Sequence, residues 1–234
     1  MIPKIIHQLW EECEEPMPDL FVHLSKTWKE HHTDWQYEFW DGDRMKDFVK
    51  NNYPHLAGIY FNYRYNVHRW DLIRYLILHK MGGMYVDCDF ECLASFDHYI
   101  TEEKCYFALE PEEHRLWAGK DFYFSNALMI APPAHPFFET VITHLENTPI
   151  TYNTGNKMRD VVASTGPLML TNLYEKTENK TFFDFFSPEQ VMPWTQNEVL
   201  DYITGIANEE ILEQKLGKAI AIHYFWGSWL KNDK

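Results

Sequence analysis

The sequence predicts an α/β protein, a mixed sheet flanked by helices, and two observations carry that expectation. Short apolar runs alternate with stretches of helical spacing from Lys4 to Tyr224. At the centre, Asp71 to Asp89 reads as an amphipathic helix, a Gly82-Gly83 stop, a short apolar strand and two carboxylates one residue apart. At 234 residues a single domain over 1–234 is expected. A chain of that size buries roughly 70–75% of its unfolded surface. Hydrophobic residues make up 45% and aromatics 17%, enough for a well-filled core with some rings left as flat platforms for a ligand.

The elements follow in order. Lys4 to Trp10 reads as a first strand, Glu11 to Asp19 as an acidic, proline-bearing loop, and Leu20 to His31 as a helix. Trp35 to Trp40 alternates as a second strand, and Asp43 is the expected N-cap of a helix ending near Asn52, before Pro54. Val67 to Lys80 is the central helix, closed by the glycine pair, and Met84 to Asp87 is the strand that delivers the carboxylates. Cys105 to Leu109 and Asn126 to Ala131 read as strands around a loop from Glu110 to Asp121, and His135 to Leu145 as a helix. Ser164-Thr165-Gly166-Pro167 is a helix-start signal. Asn208 to Leu216 is a helix capped by Gly217, and Ala219 to Tyr224 is the last strand. Thr177 to Gly205 carries no signal of its own.

Residues i and i+2 of an extended chain point to the same side, so Asp87 and Asp89 are expected to aim at one point. Two hard anionic oxygens there suit Mg²⁺ or Mn²⁺, which fills its other positions with water and substrate phosphates. Asp71 and Arg74, three apart on the helix, share a face running toward that point. They are either a surface ion pair of little consequence or a charge-neutralising Arg held by its Asp. The net charge of −14 excludes a nucleic-acid partner, which needs a basic footprint, and requires local neutralisation of any anionic ligand. Cys13, Cys88, Cys92 and Cys105 lack zinc-ligand spacing and are expected to be reduced thiols. Met1-Ile2-Pro3-Lys4 leads straight into an apolar run without a signal-peptide pattern, and no stretch reaches the ~18 apolar residues of a membrane span. A cytoplasmic location is therefore expected, with peripheral attachment at the inner face of a membrane left open.

The segment Arg69-Trp70-Asp71-Leu72-Ile73-Arg74-Tyr75 through Gly82-Gly83-Met84-Tyr85-Val86-Asp87-Cys88-Asp89 resembles the signature of the family-32 glycosyltransferases, whose sugar-binding region contains a DXD motif. That family includes outer-chain-initiating mannosyltransferases and capsular-polysaccharide transferases, and the large glucosylating toxins are similar to it. Ile2 to Trp10, Trp35 to Asp41, Asn126 with Ala131, His135-Pro136, Thr165-Gly166-Pro167, and His223 with Ser228-Trp229 resemble its other landmarks in order. The resemblance implies a GT-A (Rossmann-like) fold and metal-dependent, retaining transfer of a hexose from a UDP- or GDP-sugar to a saccharide or lipid-linked oligosaccharide. It implies that Asp89 binds the metal directly, Asp87 meets the ribose or the water of the metal shell, and His223 completes that shell. By the same resemblance Asp71 and Arg74 hold the donor sugar and Trp10 faces the base. Asn126, Gly166, Ser228 and Trp229 then complete the donor site.

Each position also has a structural reading. Trp10 and Trp229 could be core rings, His223 a satisfied structural histidine, and Asn126 and Gly166 turn residues. Two further alternatives stand beside the enzyme. A phosphohydrolase of the haloacid-dehalogenase type also sets Asp-x-Asp after an apolar strand, but commonly carries Thr or Val where this chain has Glu91. A non-catalytic nucleotide-sugar-binding module would use the same ligands without turnover.

Overall fold

The computed structural model describes residues 1–12, 16–152 and 154–231; Cys13 and the Glu14-Glu15 part of the acidic loop lie outside the described residues. The chain opens with β1 (Ile5–Leu9), α1 (Asp19–His31) and β2 (Gln36–Trp40). It continues through α2 (Gly42–Asn52), α3 (Ala57–Asn62) and the central α4 (Asn66–Met81). The α2 cap is Asp41, whose carboxylate accepts from the Arg44 N–H at 2.8 Å; Asp43, the expected cap, sits in the first turn instead.

The helix α4 differs from the amphipathic expectation. Every residue from Asp71 to Leu78 is buried, because α4 lies between the sheet on one side and α2 and α3 on another. Its stop follows the sequence. Gly82 closes the helix by donating to the Leu78 carbonyl at φ +66°, and Gly83 continues at φ +96°. A side chain at Gly83 would meet the Ile5 carbonyl oxygen at 2.5 Å. The buried His7 ring braces this turn. Its Nε2 lies 2.9 Å from the Gly82 carbonyl, while its Nδ1 accepts from Trp40 Nε1 at 3.2 Å.

After the turn come β3 (Gly83–Val86), β4 (Phe90–Cys92), β5 (Cys105–Leu109), α5 (Glu112–Ala118) and β6 (Phe124–Ala131). The expected loop between β5 and β6 thus contains a helix. The remainder is α6 (Pro136–Asn147), α7 (Lys157–Ser164), α8 (Pro167–Lys176), β7 (Phe183–Phe186), α9 (Pro188–Val191), α10 (Gln196–Thr204), α11 (Glu209–Lys215), β8 (Ala221–His223) and α12 (Ser228–Lys231). The stretch without sequence signal therefore holds a strand and two helices, each started by a local polar cap: Ser187 before α9, and Thr195 in a capping box with Glu198 before α10. Gly217 is not the cap of α11; that position is Leu216, and Gly217 lies in a short 3₁₀ turn.

The main sheet has the order β2-β1-β3-β6-β5-β7. Only β6 runs against its neighbours, with β1, β2 and β3 parallel and β5 parallel to β7. This arrangement brings the C-terminal ends of β1, β3 and β5 and the start of β6 to one edge, the usual place for a ligand on an open α/β sheet. One face is covered by α4, α6 and α8 over a Phe- and Leu-rich core, the other by α1 through Trp28. A two-stranded sheet of β4 and β8 lies beneath that second face and brings residues near the C-terminus back beside Asp89. Among the described residues no helix is long and apolar enough to cross a membrane, and Cys88, Cys92 and Cys105 are buried free thiols.

Candidate active site

The sheet edge carries a cavity of about 460 Å³. All ten residues singled out in the sequence line it: Trp10, Asp71, Arg74, Asp87, Asp89, Asn126, Gly166, His223, Ser228 and Trp229. The carboxylates arrive differently from the expectation. Asp87 ends β3, and the Phe90 N–H donates back to its carbonyl at 3.2 Å, so Asp87 to Phe90 is a tight turn and not an extended strand. Gln8 Nε2 donates to the same carbonyl at 3.2 Å, tying the turn to β1.

Arg74 is the hub of one half of the site. Its guanidinium donates to the Trp70 carbonyl at 3.2 Å and the Asn126 carbonyl at 3.0 Å, and pairs with Asp71 at 3.4 Å and Asp87 at 3.3 Å. The surface reading of the Asp71–Arg74 pair is excluded, since both side chains are more than nine-tenths buried. Asp71 is enclosed further: Asn126 Nδ2 donates to Oδ1 at 2.9 Å and Thr165 Oγ1 to Oδ2 at 2.6 Å. Tyr75 links these donors, giving its hydroxyl proton to the Thr165 carbonyl at 2.6 Å and accepting from Asn126 at 2.9 Å. Burial pushes the Asp71 carboxyl up, against the opposing pull of Arg74, Thr165 and Asn126.

The two aspartates at the turn are pushed apart. Burial raises Asp87, although Arg74 and the Tyr85 hydroxyl, which donates to its Oδ1, act against the rise. Burial acts on Asp89 in the same direction, but His223 and the Trp226 N–H outweigh it and hold Asp89 below the ordinary carboxylate range. That N–H donates to Asp89 Oδ2 at 2.9 Å, while Oδ1 lies 3.4 Å from His223 Nε2. The His223 ring is fixed by stacking on Phe90, with centroids 4.2 Å apart.

Among the described residues no three carboxylate, thiol or imidazole groups form a preassembled metal cluster, because Asp87 is turned toward Arg74 and Tyr85. Asp89 and His223 remain as a pair. Neighbouring ligands of an octahedral ion with bonds of about 2.1 Å lie about 3 Å apart, close to their separation, and Mg²⁺ or Mn²⁺ takes few protein ligands when phosphates supply the others. The residues fit such an ion.

Trp10 is packed edge-on against Phe21, which in turn meets Trp226, so this wall of the cavity is a row of rings. Gly166 N-caps α8 where a Cβ would come within 2.9 Å of the Val162 backbone. Lys157 Nζ donates to the Trp229 carbonyl, joining α7 to α12. The sequence reading missed Tyr85, Tyr75, Thr165 and Trp226. Thr165 and Trp226 adjoin noted landmarks, but nothing in one sequence shows that their partners lie far along the chain.

Residues 18–106 match the model of the glycosyltransferase sugar-binding region containing DXD motif. Over 178 residues, 75% of this chain and 47% of the relative, the chain is 31% identical to inositol phosphoceramide mannosyltransferase 2 of Schizosaccharomyces pombe. Over 180 residues it is 29% identical to mannosyl phosphorylinositol ceramide synthase SUR1 of Saccharomyces cerevisiae, covering 75% of this chain and 42% of that one. The chain thus spans about half the length of the curated relatives it matches. In fold it is similar to the UDP-bound glycosyltransferase domain from the YGT toxin, with a TM-score of 0.57 at 9% identity over 92% of this chain and 89% of that one. The fold is GT-A, and the segment from α1 into β5 is similar to the DXD-containing sugar-binding region of glycosyltransferases.

Proposed function

We propose that this protein transfers a hexose, with mannose the first candidate, from a nucleotide-diphosphate sugar to a lipid-linked saccharide or cyclitol, using Mg²⁺ or Mn²⁺. The carrying observation is the convergence of Arg74, Asp71 and Asp87 with the Asp89–His223 pair on one cavity at the sheet edge. The difficult step is expulsion of a nucleoside diphosphate from the anomeric carbon. Asp89 and His223 would hold a divalent ion, which would supply Lewis-acid stabilisation of charge on the leaving phosphate. Arg74 gives the local positive charge that an anionic donor needs in a chain of net charge −14. Asp71, fixed by Thr165 and Asn126, holds Arg74 in place. The buried carboxylates favour positive charge as the sugar becomes oxocarbenium-like.

Mannose and a lipid-borne acceptor are supported by the names of the relatives. The exposed Leu116 and Trp117 on α5, the latter also lining the cavity, support contact with the apolar part of such an acceptor. They also support peripheral attachment to a membrane. The family favours retention, with the acceptor attacking on the face the diphosphate leaves and its proton passing to a phosphate oxygen. NMR of the product anomer tests this, and an inverted anomer would overturn it.

Thermal shift against UDP- and GDP-hexoses, with and without Mn²⁺, tests the reading as a whole. The expected result is a donor-induced rise that requires Mn²⁺ in the native chain and is absent in Asp89→Ala. A phosphatase-like response to a generic phosphate ester, without any response to nucleotide sugars, would overturn it.

A further inference from the structure

The cavity contains a second charged pair that the metal-diphosphate site does not use. Glu110 follows β5, is 7% exposed, and lines the cavity. Its Oε2 lies 2.6 Å from Nδ1 of His114, one turn along on α5, and its Oε1 has no hydrogen-bond partner among the described residues. His114 lines the same cavity, and its Nε2 is 3.8 Å from Glu113 Oε1, beyond hydrogen-bond reach. Burial pulls the His114 imidazole down, but the hydrogen bond and charge of Glu110 more than offset this and hold it above its ordinary value. The contact leaves Glu110 Oε1 and His114 Nε2 as the polar atoms of the pair available to a ligand.

Sheet geometry sets the distance of this pair from the chemistry. The order β3-β6-β5 puts two strand spacings between the end of β3, which carries Asp87, and the end of β5, which carries Glu110. That is about 10 Å along the edge, room for a donor sugar between the two carboxylates. The intervening wall is fixed. The Glu110 N–H donates to the Tyr123 carbonyl at 3.0 Å, anchoring it to the strand that also carries Asn126. The His114 ring meets Phe225 edge-on at 5.2 Å, and Phe225 meets His223 at 4.2 Å. Burying polar side chains whose outer atoms have no protein hydrogen bond is costly unless a ligand meets them.

Resting on the glycosyltransferase reading, we propose that Glu110 and His114 bind the acceptor and select for a ring bearing adjacent hydroxyls. Glu110 Oε1 accepts from one hydroxyl, and His114 Nε2 shares a hydrogen bond with the hydroxyl beside it. The two groups orient the acceptor toward the donor's anomeric carbon and take no proton from it, because the leaving phosphate does so.

The test uses the full chain with Mn²⁺ and the nucleotide sugar found by thermal shift. The acceptor probes are methyl hexosides and myo-inositol, each compared with its single-deoxy analogues. The native protein is expected to disfavour one deoxy analogue by about ten- to hundredfold in kcat/KM. In Glu110→Gln that preference should fall toward unity through a rise in acceptor KM, with the donor KM changing less than twofold. His114→Asn should act in the same direction and serves if the first variant does not fold. Undiminished discrimination in both variants would overturn the proposal, as would a donor KM rising in step with the acceptor KM. A native protein that turns over no nucleotide sugar would instead overturn the glycosyltransferase reading, and this proposal with it.

Discussion

The Thr165 hydroxyl donates to Asp71 Oδ2 at 2.6 Å, joining two buried residues 94 positions apart in the chain. The bond pins the turn between α7 and α8 to the middle of α4 and consumes the outer oxygen of the carboxylate that flanks Arg74. Thr165→Val keeps the shape and removes the donor, leaving a buried carboxylate oxygen unpaired. The expected loss is about 1–3 kcal/mol of stability, read by urea denaturation, with Thr165→Ser close to the native value. Equal stability in the Val and native proteins would show that the bond contributes nothing.

Arg74 cannot be exchanged for the other long cation. Its guanidinium reaches two carbonyls and two carboxylates at once, which a single ammonium cannot do. Arg74→Lys is expected to lower sugar transfer by about a hundredfold, roughly 3 kcal/mol of transition-state stabilisation, with an unchanged circular dichroism spectrum. A rate near native in a nucleotide-release assay would remove Arg74 from the reaction.

Acid should unfold this protein partly through His7. Burial, opposed only in part by the Gly82 carbonyl, lowers its imidazole to about 4 from the ordinary 6.5. Between those values the unfolded chain binds a proton that the folded chain does not. Stability from this group is therefore complete above pH 6.5 and lost as pH falls toward 4, by about 3 kcal/mol in all. His7→Gln should flatten that part of the stability–pH curve. An unaltered slope in the variant would mean that other buried histidines carry the effect.

Gly83→Ala tests the turn that launches β3. The φ of +96° and a Cβ placed 2.5 Å from the Ile5 carbonyl oxygen leave no room for a methyl group, and the obstacle is backbone. The expected cost is about 2–4 kcal/mol, seen as a drop in Tm. Gly119→Ala makes a useful contrast, since its φ of +65° is also positive but nothing lies within 4 Å of the added carbon; it should cost less.

What could be read from the sequence and what could not divide on physical grounds. The helix–Gly-Gly–strand passage was legible because stop and apolar run are local, and the ten cavity residues were reachable because family landmarks mark them. The helix α5 was not, since Leu116 and Trp117 face outward and break the apolar period expected of a surface helix. The strand β7 was hidden in a run of four consecutive residues, Phe183-Asp184-Phe185-Phe186, whose role depends on pairing with distant β5. Thr165 acquires meaning only when folding sets it beside Asp71, 94 positions away. The tight turn at Asp87 was missed because period-two alternation assumes an unbroken strand, whereas the Phe90 N–H folds the chain back.

The return of β8 to β4 makes the surroundings of Asp89 late to assemble. Asp89 waits for Trp226, 137 residues downstream, and for His223 before its surroundings are complete. A chain ending before residue 221 keeps every strand of the main sheet and the Asp71–Arg74–Thr165 cluster, yet lacks the partners of Asp89. A cut between α11 and β8 is therefore expected to leave the main sheet folded with the surroundings of Asp89 unfinished.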